Sequence, residues 1–130
     1  MFLYTYMTLS MLPSCINTDI EELRGLLKLP NANASEAFST GWSCLHIAVK
    51  NQRLDIVRLL LENGADLHAQ NTRQVTPLHS ATERGFREIE EELLNAGARR
   101  DLVDDRDRTP ADLARVRGYE NLAVFIDNGG

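Results

Sequence analysis

The chain has 130 residues, 43% of them hydrophobic and 25% charged, with a formal net charge of −5. These values place it with one-domain soluble globular proteins rather than disordered segments, and the acidic balance argues against a general attraction for nucleic acid. Two cysteines, Cys15 and Cys44, are too few for a disulfide framework. Both fall where packing is expected, so they read as reduced thiols in a cytoplasmic or otherwise intracellular setting.

The opening residues 1–7 form an apolar extension with no basic residue ahead of them and too few residues to cross a bilayer, so no membrane association is expected. Leu12-Pro13-Ser14-Cys15 has a loose likeness to a lipoprotein cleavage site, but the basic region is missing and Cys15 fits an internal repeat as a small core residue. That repeat organises everything that follows. Ser43-Cys44-Leu45-His46, Thr76-Pro77-Leu78-His79 and Thr109-Pro110-Ala111-Asp112 recur at a step of 33 residues. The same step links Ala48 to Ala81 and Ala114, and Gly64 to Gly97 and Gly130. A fixed period of this length is the mark of stacked supersecondary units.

In chain order, residues 8–37 keep only the apolar skeleton of the unit, namely Leu12, Cys15, Leu23, Leu26 and Leu27. A helix is expected from about Asp19, as N-cap, to Leu29, stopped by Pro30. The second unit, 38–70, predicts a short helix from Cys44 to about Asn51 and a longer one over Leu54 to Asn63. The third, 71–103, predicts Pro77 to Arg84 and Arg87 to Ala96. The fourth, 104–130, predicts Pro110 to Arg117 and Asn121 to Asn128, with no unit after it. Polar stretches without periodicity, such as Asp66 to Arg73 and Arg99 to Arg106, read as exposed hairpin-like turns.

Each signature residue has a physical task at its position. Thr76 caps a helix and Pro77 takes N1, where a missing N–H costs nothing. His79 stands three residues past the cap, where a neutral imidazole can reach back to the cap backbone and bond the neighbouring turn. Gly64, Gly97 and Gly130 follow helices at the position that favours positive φ. The small Ala48, Ala81 and Ala114 let units approach, and the hairpins are expected to share a continuous hydrophobic spine. One conflict stands out: Glu92 aligns with Leu59 and Phe125, so it must turn outward or pair with an arginine such as Arg58 or Arg115. Glu88, Glu90 and Glu91 read as a solvated acidic back.

Thr76-Pro77-Leu78-His79 and Leu59-Leu60-Leu61-Glu62-Asn63-Gly64-Ala65-Asp66, on an unbroken 33-residue step, resemble the ankyrin repeat family. The resemblance covers residues 38–130 well and 8–37 only through their skeleton. It implies an all-α fold, a solenoid of stacked helix-turn-helix units joined by β-turn or hairpin-like loops. It also implies a non-catalytic protein-interaction module that holds another protein in a concave groove of turn tips and first helices; the basic lean of that surface points to an acidic or extended segment, and a monomer is expected. Carried over position by position, the partner-binding residues are Trp42, Lys50, Asn51, Arg73, Val75, Arg84, Arg106, Arg108 and Arg117. A stand-alone competitive inhibitor or decoy is the alternative use of the same surface. His46 and His79 occupy equivalent slots one repeat apart and so do not share a metal centre. No nucleophile elbow, zinc helix or phosphate loop is present, so neither enzyme activity nor a cofactor is expected.

Overall fold

The computed structural model describes residues 10–17 and 19–128; the extension 1–7 and Gly130 lie outside them. Among the described residues eight helices follow in order: α1 Leu12–Asn17, α2 Ile20–Leu27, α3 Cys44–Lys50, α4 Leu54–Glu62, α5 Pro77–Arg84, α6 Arg87–Asn95, α7 Pro110–Val116 and α8 Glu120–Asp127. Among the described residues there is no strand, only a single antiparallel bridge between Ala37 and Ser43. The first helices stack α1 on α3, α3 on α5 and α5 on α7, while the second helices stack α2 on α4 and α4 on α6. Leu45, Leu78 and Ala111 are buried as successive rungs.

Helix starts follow the capping chemistry. The side chains of Ser43, Thr76 and Thr109 accept from the N–H groups of His46, His79 and Asp112, each of which reaches back to the cap backbone. Asp19 caps α2 through the Glu22 N–H at 3.0 Å. First helices end in left-handed backbone at Gln52, Gly85 and Gly118, and the second helices α4 and α6 are followed by it at Gly64 and Gly97.

Three sequence readings are corrected. The cysteines are not free thiols: Cys15 and Cys44 form a disulfide with a Cα–Cα distance of 5.5 Å, because α1 lies on α3 with the two side chains facing. The argument for a reducing compartment loses its basis. No described helix is long and apolar enough to cross a membrane.

The spine is also not continuous. Buried apolar side chains form one cluster from Met11 to Ala98 and a second of Ala111, Ala114, Leu122, Ala123 and Ile126. The break follows α5 and α6, where Thr82 and Glu90 occupy the slots of Val49 and Val57 in the second unit. Glu90 is therefore no part of a solvated back, and is fully buried. Its Oε1 bonds the Thr82 hydroxyl, which itself donates to the Leu78 carbonyl at 2.8 Å. The single Thr82 proton is thus shared between two acceptors, the Leu78 carbonyl and Glu90 Oε1. The Glu90 Oε2 has no partner, which is tolerable for a neutral acid and costly for an anion. Burial pushes the Glu90 carboxyl up to about 7, against the opposing effects of Thr82 and Arg87. Glu92 takes the other course and meets Arg58 at 2.8 Å with 30% of its side chain exposed.

Two outcomes test this packing. A carboxyl raised from 4.5 to about 7 on folding leaves stability intact below 4.5 and removes it as pH rises through 7, by about 3 kcal/mol in the limit. Urea melts of Glu90→Gln and wild type should therefore coincide near pH 4.5 and separate in favour of the variant at pH 8. Gly41 has φ +82°, and a Cβ there would lie 2.6 Å from the Asn71 backbone, whereas Gly97 at φ +101° has open space. Gly97→Ala should cost about 1 kcal/mol and Gly41→Ala about 2–3 kcal/mol, read as shifts of the urea midpoint.

Candidate partner-binding groove

Three turn tips share one backbone design. In each, the fifth residue's carbonyl accepts from the first residue's N–H, from Phe38 to Trp42 (2.9 Å), Asn71 to Val75 (3.2 Å) and Asp104 to Arg108 (2.9 Å). The fourth residue, Gly41, Gln74 or Asp107, takes positive φ. Adjacent tips are tied by Thr72 N–H to the Thr40 carbonyl (3.0 Å) and Asp105 N–H to the Arg73 carbonyl (2.9 Å).

The tips are fixed to the helices by histidine. His46 Nε2 donates to the Val75 carbonyl at 2.8 Å and His79 Nε2 to the Arg108 carbonyl at 2.9 Å. Nδ1 of each accepts the cap residue's backbone N–H. A carbonyl only accepts and an N–H only donates, so both rings are neutral Nε2–H tautomers. Burial holds both imidazoles below the usual histidine range, outweighing the carbonyl each one bonds. Both ring nitrogens are thereby committed to stitching each unit to the next.

The residues singled out in sequence divide into groups. Arg73, Val75, Arg106, Arg108 and Arg117 surround one cleft of about 190 Å³ between the third and fourth units, together with His79, Glu83, Asp104, Asp105 and Leu113. Arg108 is held by Asp104 at 2.9 Å, and Arg117 by Glu83. Arg73 and Arg106 are exposed and have no acidic side chain paired with them among the described residues. Trp42 and Lys50 form a second group. The half-buried indole meets the His46 ring edge-on, with centroids 5.4 Å apart, and the Lys50 ammonium lies 5.7 Å from the indole centroid. Arg84 lines a separate depression with Gly85 and Tyr119, and Asn51 is the exposed C-cap of α3.

Asn71 and Asp104 were missed in sequence. The Asn71 Oδ1 accepts from Arg73 and Val75 N–H groups, and the Asp104 Oδ1 from those of Arg106 and Arg108, all at 2.8–3.0 Å. Burial alone would raise the Asp104 carboxyl, but the Arg108 backbone and guanidinium and the Arg106 N–H hold it below the usual range. The available signal was a pair of short Asn/Asp acceptors one period apart, each opening a turn.

Capped helical hairpins, stitched tip to helix at a constant step, define a repeat solenoid. The ankyrin repeat family profile matches residues 40–72 and 73–108, and the chain belongs to that family. It is 33% identical over 107 residues to human protein phosphatase 1 regulatory subunit 27, an alignment covering 82% of this chain and 70% of that protein. It is 34% identical over 111 residues to glycerophosphocholine phosphodiesterase gde1 of Schizosaccharomyces pombe, covering 85% of this chain and 10% of the relative. Against chicken NF-kappa-B inhibitor alpha it is 34% identical over 93 residues, covering 68% of this chain and 29% of that protein. The fold is that of a protein-interaction module, and the match to the phosphodiesterase spans only a tenth of that enzyme.

The stitch is open to a direct test. Replacing His79 by Ala removes both a cap partner and the bond to the Arg108 carbonyl, and should cost about 2–3 kcal/mol in urea. His79→Gln, able to fill the capping-box slot, should recover part of it. Wild-type stability from both histidines is present above their usual pKa of 6.5 and is lost as pH falls through the lowered folded values.

Proposed function

We propose that this chain is a non-catalytic binding module that holds an extended, acidic segment of another protein along the concave groove. The observation that carries this reading is the pair Arg73 and Arg106, at equivalent tip positions one unit apart, exposed and without an acidic partner among the described residues. Around them Arg108 and Arg117 are positioned by Asp104 and Glu83, so their side chains are ordered before a partner arrives, which lowers the entropic cost of association. Val75 and Trp42 supply apolar and aromatic area beside the charges, the composition typical of interface anchors. Lys50, Asn51 and Arg84 extend the surface along the ends of the first helices. The module acts as a monomer on this reading.

A second use of the same surface is competitive inhibition, in which the module occupies a partner's docking site. It is supported by relatives whose names describe a regulatory subunit and an inhibitor. An assay of the captured partner's activity with and without the module separates the two uses, since only an inhibitor lowers it.

The groove reading is tested with a peptide library displayed against the folded chain. Acidic sequences should be enriched, their affinity should fall with salt, and Arg73→Glu combined with Arg106→Glu should lower it at least about tenfold, with Trp42→Ala adding a further loss. Enrichment indifferent to acidic residues, or affinity unchanged by the double charge reversal, would place binding on another face.

A further inference from the structure

The first joint of the stack lacks the imidazole that serves the others. Its counterpart of His46 and His79 is Pro13, which has no side-chain group to bond the next tip. The Cys15–Cys44 disulfide lies at this joint. Cys15 stands in the small-residue slot of Ala48, Ala81 and Ala114, and Cys44 in the N1 slot filled elsewhere by Pro77 and Pro110. Two departures from the repeat are thus bonded to one another. The joint also carries a polar tie, the Met11 N–H donating to a Glu36 carboxylate oxygen at 2.7 Å, and the packing of α1 on α3 and α2 on α4.

We propose that Cys15–Cys44 is an exchangeable thiol–disulfide site, with a dithiol reductant as its substrate class, whose redox state sets whether the first unit stays docked on the second. Both cysteines are buried, at 1% and 0% exposure, so a thiolate reaches the sulfurs only when the terminal unit opens locally. The reductant's thiolate then attacks one sulfur, the S–S bond breaks, and the other cysteine leaves as a thiolate that takes up a proton. The reductant's second thiolate resolves the mixed disulfide and frees the first cysteine, which is protonated in turn. The chain gains two electrons and two protons, and the reductant departs as its own disulfide. What reduction removes is a cross-link between positions 29 residues apart. Nothing equivalent to the histidine stitch replaces it, so the open state of the first unit gains weight and the faces of α3 and α4 beneath it become accessible.

The test compares the oxidised full chain, the same chain reduced with dithiothreitol, and Cys15→Ala combined with Cys44→Ala, by thiol titration under native conditions and by hydrogen exchange. The oxidised chain should show no reactive thiol and the reduced chain two. In the reduced chain and the double variant, exchange over residues 12–27 should quicken on the order of a hundredfold while residues 77–95 keep their protection. Two reactive thiols without reductant would overturn the proposal. So would unchanged exchange over 12–27 after reduction, or an equal rise over 77–95, which would make the bond a support of the whole stack. The reduced wild type gives this answer even if the double variant does not fold.

Discussion

A neutral imidazole, shared between the start of one helix and the tip of the following unit, is the interaction on which this architecture depends. His46 and His79 satisfy a cap backbone N–H through one nitrogen and a distant carbonyl through the other, so the same side chain sets the helix start and its distance to the next unit. Either function alone is available to other residues; glutamate or glutamine closes a capping box. Asp112 fills the capping half alone, bonding the Thr109 N–H at 3.1 Å. The requirement that the ring be neutral follows from the geometry, and burial supplies it.

Much of this was legible in the sequence. The 33-residue step aligned the capped helix starts at Ser43, Thr76 and Thr109, and the Ser/Thr at the cap, the residue three places on and the glycines at helix ends gave helix boundaries to within a few residues, because those signals act through local backbone chemistry. The family follows from the same residues. What sequence did not give was pairwise. Glu92 aligns with leucine yet meets Arg58 at the surface, while Glu90, aligned with Val57, goes inside; telling them apart requires the rotation of α6 against α5. The disulfide likewise depends on α1 lying across α3, which two isolated cysteines do not announce. For the groove, the arginines were visible but their pairing was not, since Asp104 and Glu83 reach Arg108 and Arg117 from other parts of the backbone.

The paired substitution of Thr82 and Glu90 for valines shows how a repeat can vary its core without losing its step. Neither polar residue suits the apolar position alone. Together with the Leu78 carbonyl they form a hydrogen-bonded cluster in which a single carboxyl oxygen is left over. Burial favours the protonated acid, so the third unit loses stability as pH rises from 4.5 to about 7, where the histidine stitches lose it as pH falls below 6.5. These opposed titrations overlap, so no pH retains both contributions in full.

That interrupted core also has a mechanical meaning. Packed hydrocarbon resists shear because any displacement opens voids, whereas hydrogen bonds and ion pairs between side chains re-form after small slips. The third and fourth units, which do not share one apolar cluster, are held partly by such polar contacts, the His79 stitch and the Arg117–Glu83 pair among them, and the cleft bearing Arg73 and Arg106 spans that joint.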